Sequence, residues 1–364
     1  MLYYQLCMDL TGLSLPLGYL IIIKMIQGLR RILNIDQDNR IPLIGCIAFG
    51  VIDRGTNLLQ IRPTTICNLS CIYCSTDAGP KSRARLTEYI VDLDYLYEWI
   101  LKIVRYKGSR GIELHIDTVG EPTTYPRLVD LIQKISSIDG VEVVSMQSNG
   151  TLLDEEKLED LRDAGLSRLN LSMDTLDPEK AKIIAGDESY DIDKVKAVAE
   201  YAASMDGLDL LIAPVWIPGV NDHDIPEIVE YSLRIGAGKR WPPLGIQKYE
   251  VHKRGRKPHG VKPFSWGRFY RELHKLEKIY NVRLVLRAED FGIHPRPMIP
   301  PAFAIGMKVE VEVVAPGWLK GEVLAVAKDR VITVVGAGEE LIGRRVYVRV
   351  ISCKHNIYLA KIEG

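Results

Sequence analysis

Short apolar runs alternate with longer amphipathic runs between residues 57 and 294. The short runs are rich in Val, Ile and Leu and predict strands, whereas the longer runs repeat apolar residues every three or four positions and predict helices. The predicted strands cover residues 58–62, 111–117, 141–147, 168–173, 208–214, 244–249 and 282–286. The predicted helices cover residues 92–106, 126–138, 154–164, 192–204, 225–235 and 266–280. This alternation predicts an α/β fold in which parallel strands form a partial (βα)6 barrel of the TIM type.

A second pattern begins after a proline-rich stretch at residues 295–303. Four prolines between Pro295 and Pro301 cannot continue a helix or a central strand, so we interpret this stretch as a stiff linker. Residues 304–364 then contain short β-branched runs separated by glycine or charged residues. These runs predict a small antiparallel all-β barrel and cover residues 308–314, 321–325, 330–335, 345–351 and 357–362.

Residues 1–56 are interpreted as an N-terminal extension of the barrel. Residues 10–23 carry no charge, but this run is shorter than the roughly 20 residues that cross a bilayer, and Pro16 interrupts it. Because no convincing cleavage site follows, we expect a cytoplasmic protein without stable membrane association. Met25 is an alternative start, in which case residues 1–24 are a misassigned extension.

Composition places the chain among soluble globular proteins and indicates no partner by itself. Of its 364 residues 47% are apolar and 26% are charged, and 47 Lys and Arg balance 47 Asp and Glu. Six cysteines are too few for a secreted fold stapled by disulfides. Three of them lie close together in the sequence, which indicates metal or redox chemistry in a reducing compartment.

The three clustered cysteines, Cys67, Cys71 and Cys74, follow the first predicted strand of the barrel. Thiolate is the preferred ligand of iron–sulfur clusters, and three thiolates on one loop can hold three corners of a 4Fe–4S cube. The fourth iron then has no protein ligand and is open to a substrate. Zinc is the alternative metal, but a structural zinc site needs four ligands, and His115 is distant in the sequence.

The spacing Cys-x-x-x-Cys-x-x-Cys after the first strand of a βα barrel resembles the radical S-adenosylmethionine (radical SAM) superfamily. The resemblance covers roughly residues 57–294. Four further segments match the family, namely residues 119–122, 148–151, 171–174 and 217–222. Val119 stands where the family has the first glycine of its Gly-Gly-Glu-Pro segment. Each segment follows a predicted strand, so all of them would face one mouth of the barrel.

The resemblance implies two cofactors, a 4Fe–4S cluster and S-adenosylmethionine, and assigns residues to each. Cys67, Cys71 and Cys74 would bind the cluster. The residues that would bind S-adenosylmethionine are Tyr73, Gly120, Glu121, Asn149, Ser172 and Asp174. In the implied mechanism an electron from a donor such as ferredoxin or flavodoxin cleaves S-adenosylmethionine, and a 5′-deoxyadenosyl radical abstracts hydrogen from the substrate. The resemblance assigns no catalytic residue.

The remaining cysteines, Cys7, Cys46 and Cys353, are isolated in the sequence. They offer no second trio for an auxiliary cluster, which argues against methylthio transfer. Cys353 is interpreted as a buried core residue, with a methyl-carrying thiol as the alternative.

Residues 304–364 resemble the TRAM domain, a small RNA-binding barrel found in several tRNA-modifying enzymes. The resemblance rests on Gly306, residues 309–313, Gly321, residues 334–337, Gly343 and residues 346–350. Residues 239–275 add eleven Lys or Arg, only two acidic residues and six aromatic residues. This combination suits phosphate neutralisation and base stacking, and the alternative is an ordinary solvated surface beside a small anionic substrate.

The sequence therefore predicts a radical SAM enzyme that modifies RNA, with tRNA as the favoured substrate. The RNA-binding candidates are Lys253, Arg254, Arg256, Lys257, Lys308, Arg344 and Arg345. We expect Arg254, Arg256 and Lys257 to face outward, because nearby glycines make their segment a loop. Two alternatives stay open: the same enzyme acting on a small molecule or peptide, or an RNA-binding protein whose cluster is structural or sensory.

Overall fold

The computed structural model describes residues 30–108 and 110–363. Up to residue 248 the described strands are β1 (Arg31–Ile35), β2 (Gly50–Asp53), β3 (Leu58–Arg62), β4 (Thr87–Val91), β5 (Ile112–Ile116), β6 (Val141–Ser148), β7 (Arg168–Leu171), β8 (Asp209–Ile212), β9 (Val215–Trp216) and β10 (Gln247–Lys248). Six of them form one sheet in the order β2-β3-β5-β6-β7-β8. Strands β3 and β5 to β8 run parallel, and β2 runs antiparallel to β3.

Helices alternate with the strands along the chain, as the sequence predicts. They are α1 (Leu93–Lys107), α2 (Leu128–Ser136), α3 (Glu155–Asp163), α4 (Pro178–Ala185), α5 (Ile192–Ser204), α6 (Asp224–Arg234) and α7 (Trp266–Tyr280). The six predicted helices are confirmed to within two residues at each end, and α4 is an addition. Asp92, Asp154, Asp177, Asp191 and Ser265 accept hydrogen bonds from first-turn backbone N–H groups, which explains where α1, α3, α4, α5 and α7 begin.

Side chains alternate between the two faces of the sheet. Leu114 and Ile116 of β5 are fully buried in the main apolar core together with residues of the helices, and α2 and α5 contact β6 and β8. Glu113 and His115 alternate with these residues and therefore lie on the opposite face, which we call the inner face. The loops that follow β3, β5, β6 and β7 all leave from the carboxyl edge of the sheet.

Five predicted strands are confirmed as β3, β5, β6, β7 and β8. The strand predicted at 244–249 is reduced to the two-residue β10, which pairs with β9. The strand predicted at 282–286 is wrong. Glu277 Oε1 accepts from the backbone N–H groups of Leu284 and Val285, both at 2.8 Å, so a side chain takes donors that a neighbouring strand would need.

The C-terminal region forms a closed barrel of five strands in the order β11-β12-β13-β15-β14. Their bounds are β11 (Lys308–Pro316), β12 (Glu322–Ala327), β13 (Arg330–Val335), β14 (Arg345–Ser352) and β15 (Leu359–Ile362). The expected all-antiparallel pairing needs one correction, because β13 and β15 pair in parallel. A ring with an odd number of strands cannot alternate direction throughout, so closure requires a parallel pair. Cys353 packs partly buried against the core of this barrel.

The barrel packs directly on the sheet region. Trp318, in the loop between β11 and β12, belongs to the same buried apolar core as the sheet and its helices. The backbone N–H of Leu86 donates to Trp318 O at 2.9 Å, and that of Val331 donates to Ile44 O at 2.9 Å. The barrel therefore lies beside the loop that leads into β4.

Residues 31–53, which we expected in the N-terminal extension, contribute β1 and β2 to the fold. Asp53 at the end of β2 accepts from Lys107 Nζ and from the backbone N–H of Ile299 in the linker, both at 2.8 Å. The uncharged run at 10–23 and the alternative start at Met25 lie outside the described residues. Among the described residues, no helix combines the length and hydrophobicity that a membrane crossing requires.

Candidate active site

The three cysteines lie on one loop between β3 and β4, residues 63–86, which we call the cysteine loop. The loop closes around the guanidinium of Arg85, whose side chain is fully buried. Arg85 donates to Thr65 O at 2.6 Å, just before the first cysteine, and to Thr76 O at 3.1 Å, just after the last. It also donates to Val119 O in the loop after β5. One rigid guanidinium therefore fixes both ends of the cysteine segment and ties it to the neighbouring loop.

A second arginine, Arg256, holds the other side of the cysteine loop. Its Nε donates to Cys71 O at 3.0 Å, its Nη1 donates to Ala78 O at 2.8 Å, and its backbone N–H donates to Cys74 O at 2.8 Å. The preceding residue, Gly255, lies so close that a Cβ there would meet Cys74 O at 2.9 Å. Residues 254–256 therefore cross the cysteine loop as a strap.

The strap corrects the expectation that Arg254, Arg256 and Lys257 all face outward. The guanidinium of Arg256 is bonded to backbone carbonyls of the cysteine loop and is not available to an RNA phosphate. Arg254 Nη1 pairs with Glu322 Oε1 of β12 at 2.8 Å and so connects the strap to the C-terminal barrel. Lys257 is exposed, as we expected.

Two of the three thiols, Cys67 and Cys71, lie in an environment that disfavours bare thiolates. Burial, with a further contribution from Glu121, raises the pKa of the Cys67 thiol to about 12. Burial, with further contributions from Cys67 and Asp174, holds the pKa of Cys71 well above its usual value. Thiolates in such a place need a bound cation, which an iron–sulfur cluster supplies, so the donor set fits the cluster.

The cysteines are not arranged around one point. Among residues 30–108 and 110–363, no three His, Cys, Asp or Glu side chains converge as the ligands of a single metal ion do. A 4Fe–4S cluster takes each thiolate at a different iron, so its ligands surround the cluster rather than one ion.

Gly120 and Glu121 link the loop after β5 to the cysteine loop and to the end of β6. A Cβ on Gly120 would meet Ile66 O at 2.2 Å, so only glycine allows this close approach of two backbones. The carboxylate of Glu121 is buried, and its Oε1 accepts from Ser148 Oγ at 2.7 Å. Its Oε2 accepts from the backbone N–H of Asn149 at 2.8 Å. Burial raises the pKa of Glu121, and these hydrogen bonds oppose the rise.

Asn149 connects the loop after β6 to the cysteine loop. Its Oδ1 accepts from the backbone N–H of Thr151 at 3.0 Å, which closes a tight turn. Its Nδ2 donates to Asn68 Oδ1 at 3.0 Å, and Asn68 Nδ2 donates to Thr151 Oγ1 at 2.8 Å. Asn68, between the first two cysteines, is therefore held by two side chains of the turn.

Tyr73 and Asp174 contact each other at the carboxyl edge of the sheet. The Tyr73 hydroxyl donates to Asp174 Oδ2 at 2.5 Å, and the backbone N–H of Val215 donates to Asp174 Oδ1 at 2.8 Å. Burial raises the pKa of Asp174 to about 6, against the opposing effect of these two bonds. Each carboxylate oxygen accepts one bond from the protein and keeps a further acceptor position for a ligand.

A pocket at this mouth brings together most of the predicted cofactor-binding residues. Its lining includes Cys71, Tyr73, Asn149, Ser172 and Asp174. Glu121 does not line the pocket but positions Asn149, which does. This geometry supports binding roles for the lining residues and a positioning role for Glu121.

The sequence analysis missed Arg85, Arg256 and Asn68 as residues that shape the site. Asn68 could have been identified from the sequence, because it lies between the clustered cysteines. Arg256 could not, because it reaches the cysteine loop from a segment more than 180 residues further along the chain.

The comparisons with known proteins agree with this site. The model of the radical SAM superfamily matches residues 61–232, which run from β3 into α6. An uncharacterized protein of Methanocaldococcus jannaschii is 42% identical over 342 residues, which cover 88% of this chain and 79% of that protein. The chain therefore belongs to the radical SAM superfamily, and it is a radical SAM enzyme that uses a 4Fe–4S cluster, S-adenosylmethionine and an electron donor.

Two further similarities are more limited. A probable GTP 3′,8-cyclase of Methanothermobacter marburgensis is 37% identical over 180 residues, which cover 49% of this chain and 54% of the cyclase. The chain thus spans about half the length of that relative. A solved structure of TYW1 with a lysine-pyruvate adduct bound aligns with 66% of this chain and 79% of that one, at 22% identity and a TM-score of 0.44.

Proposed function

We propose that this radical SAM enzyme modifies RNA, with tRNA as the expected substrate. The observation that carries the proposal is a pair of exposed aromatic rings at the start of α7. Trp266 and Tyr270 are 54% and 42% exposed, and their rings stack with centroids 5.7 Å apart and 26° between their planes. Exposed aromatic rings of this kind form the platforms on which single-stranded bases stack.

Unpaired cations accompany this aromatic pair in the sequence. Between residues 251 and 275, five exposed Lys and Arg residues form no ion pair with any described residue, namely Lys253, Lys257, Lys262, Arg268 and Arg271. Lys275, in contrast, pairs with Glu272 at 2.9 Å. An exposed cation without a carboxylate partner can neutralise a phosphate and release its counterions, which drives binding to nucleic acids.

The C-terminal barrel supplies a second candidate surface. Lys308 Nζ lies 4.9 Å from the ring centroid of Tyr347, which is 51% exposed. Arg344 is exposed, and Arg345 is also exposed at 3.8 Å from Glu312. We infer that this barrel, which resembles the TRAM domain, presents the RNA to the sheet region.

At the mouth of the sheet, Cys67, Cys71 and Cys74 would hold the cluster, which together with S-adenosylmethionine supplies a 5′-deoxyadenosyl radical when bound. Asp174 keeps acceptor positions for ribose hydroxyls. Glu121, which the resemblance assigns to the methionine ammonium, is buried outside the pocket lining and would act by positioning Asn149 beside the cofactor.

Two measurements test the RNA proposal. The affinity of the reconstituted protein for tRNA should fall by orders of magnitude between about 50 and 200 mM salt if several phosphates are contacted. Mass spectrometry of tRNA nucleosides from a deletion strain should show one modified nucleoside missing or replaced by its precursor. An affinity that barely changes with salt would refute RNA as the substrate.

A second candidate substrate is a guanine nucleotide. The 37% identity with a probable GTP 3′,8-cyclase over 180 residues favours it. Anaerobic assays would compare formation of 5′-deoxyadenosine with GTP, with tRNA and with neither. Stimulation by GTP alone, together with salt-insensitive tRNA binding, would favour the nucleotide over RNA.

A further inference from the structure

A chain of hydrogen bonds crosses the inner face of the sheet from β7 to β5. Arg168 Nη2 and Ser145 Oγ both donate to Glu113 Oε1, each at 2.6 Å. His115 Nδ1 lies 2.8 Å from Ser145 Oγ. The strand register places His115 opposite Ser145 and Ser145 opposite Arg168, so these side chains form one row across three parallel strands.

The order of donors in this row sets the tautomer of His115. Glu113 pairs with Arg168 as a carboxylate and only accepts, so the single hydroxyl proton of Ser145 points to Glu113. Ser145 Oγ must then accept from His115, which places the imidazole proton on Nδ1. Burial lowers the pKa of His115 against the opposing charges of Asp117 and Glu113, so the ring is neutral near pH 7. Its Nε2 is an acceptor that no described residue bonds.

Gln147 and Asn170 extend this inner-face array toward the S-adenosylmethionine pocket. Gln147 follows Ser145 on the same face of β6, about 7 Å further along the strand. Its Nε2 donates to Ser172 Oγ at 2.9 Å, and Ser172 lines the pocket. Asn170 lies opposite Gln147 on β7. Gln147 Oε1 and Asn170 Nδ2 form no hydrogen bond with any described residue.

Unmet hydrogen-bonding capacity also occurs elsewhere on the same face. Arg168 Nη1 and Arg62 Nε are buried without a hydrogen-bond partner among the described residues. Polar atoms buried without partners cost free energy, and an interior that merely filled space would use the branched apolar residues typical of barrel cores. His115, Gln147 and Asn170 are also partly exposed, whereas their outward neighbours are fully buried or nearly so. The inner face therefore has the character of a binding site.

We propose that this array binds the reacting part of the substrate and that His115 Nε2 accepts a hydrogen bond from it. The array offers two acceptors, His115 Nε2 and Gln147 Oε1, and one donor, Asn170 Nδ2. This pattern matches the edge of a nucleobase, in which N–H donors lie beside a ring nitrogen or carbonyl acceptor. The assignment rests on the proposed function and names the chemical group that enters the same site.

The first test measures the tautomer without any assumption about the reaction. Protein labelled with ¹⁵N-histidine contains seven histidines, and His115→Gln identifies the resonances of His115. Near pH 7.5 we expect a protonated Nδ1 and a bare Nε2. We also expect the Nε2 resonance to shift when tRNA from a deletion strain or one of AMP, GMP, CMP and UMP is added. A charged ring or a proton on Nε2 would overturn the inference.

The second test separates the two imidazole nitrogens by substitution. His115→Asn keeps a donor to Ser145 but removes the acceptor at Nε2, whereas His115→Gln keeps an acceptor near Nε2 but loses the bond to Ser145. Calorimetry with the four nucleotides should show about tenfold weaker binding for His115→Asn, the value of one neutral hydrogen bond, and a smaller loss for His115→Gln. His223→Asn, an exposed residue at the start of α6, serves as the matched control and should not change affinity.

These tests separate the failure of the inference from the failure of the RNA proposal. If the parent protein binds tRNA with strong salt dependence but no added nucleotide or tRNA shifts His115 Nε2, the inference fails and the RNA proposal stands. If tRNA binding is insensitive to salt while GMP shifts Nε2, the array binds a nucleobase and the RNA proposal fails. Equal nucleotide affinities of His115→Asn and the parent overturn the role of Nε2.

Discussion

The cysteine loop and the inner face of the sheet use hydrogen bonds in opposite ways. The cysteine loop is bonded from both sides, by Arg85 at its ends and by Arg256 across its middle. On the inner face, His115, Gln147 and Asn170 each keep one polar atom without a partner among the described residues. A loop that holds a cofactor benefits from one fixed geometry, whereas a face that receives a substrate must leave donors and acceptors open.

This contrast predicts which property each substitution changes. Substitutions in the cysteine loop or its supports should change cluster content and stability. Substitutions on the inner face or at unpaired cations should change substrate affinity and leave the cluster in place. The following substitutions test this division, beginning with the largest expected effect.

Replacing Cys67, Cys71 and Cys74 together by Ala should abolish cluster binding, because thiolates are the protein ligands of such clusters. Iron and sulfide would be quantified after anaerobic reconstitution, and we expect close to none. Cys353→Ser, at a cysteine partly buried in the C-terminal barrel, is the control and should retain the parent's iron content. A triple variant that still held four irons would contradict the assignment.

Gly120→Ala tests whether the close approach of two loops is required for the site. The new Cβ would lie 2.2 Å from Ile66 O and 2.4 Å from Thr65 O, so the backbone leading to Cys67 must move. Overpacking of this kind costs about 1–3 kcal/mol, and we expect lower stability to denaturant together with reduced iron content. Gly267→Ala, in α7, should instead be neutral or stabilising by up to about 1 kcal/mol, because among the described residues its new Cβ would meet only Arg271 Nη1, at an ordinary contact distance of 3.8 Å. Equal behaviour of the two variants would refute the packing argument.

The sequence predicts the parts of this structure that depend on local patterns. The helices and the five main strands follow from apolar periodicity, and the cysteine loop follows from the spacing of its thiols. The sequence does not predict the strap, because the number of basic residues in a segment does not indicate which of their side chains point toward the protein interior. Arg256 turns inward, where its guanidinium donates to the carbonyls of Cys71 and Ala78 and pairs with the carboxylate of Asp77 at 3.4 Å.

The polar character of the inner face could be predicted in part from the sequence. Glu113 and His115 in β5, together with Asp117 just after it, alternate with apolar residues, and this pattern predicts one polar face on a strand. A polar face on a surface strand would be ordinary. Only the sheet order shows that this face also receives Ser145 and Arg168 from the neighbouring strands.

Arg256→Met tests the role of the strap in holding the cysteine loop. The substitution keeps most of the apolar stem but removes the donors to Cys71 O and Ala78 O. Hydrogen bonds from a charged group are worth about 1.5–3 kcal/mol, so the free energy of unfolding should fall by about that amount. Removing a nearby positive charge should also make the reduction potential of the cluster more negative, which a redox titration followed by EPR would measure.

The neighbouring substitution Lys257→Met is the matched control for the strap. Lys257 is exposed and makes no ion pair with a described residue, so its removal should change the free energy of unfolding by less than about 0.5 kcal/mol. If Arg256→Met and Lys257→Met gave the same stability and the same potential, the strap would have no positioning role.

The smallest expected effect comes from comparing an unpaired with a paired lysine among the basic residues of the stretch 239–275. Lys257 has no ion-pair partner among the described residues, whereas Lys275 already lies 2.9 Å from Glu272 Oε2. Lys257→Ala should lower the salt slope of tRNA binding by about one and weaken binding about tenfold near 0.1 M salt. Lys275→Ala removes the same charge but should have a much smaller effect, because Glu272 competes with phosphate for that lysine. Measuring the salt slopes of both variants under identical conditions shows whether the unpaired lysine contributes more to tRNA binding than the paired one. Equal losses would show that net charge alone attracts the RNA, and no loss in either variant would remove Lys257 from the interface.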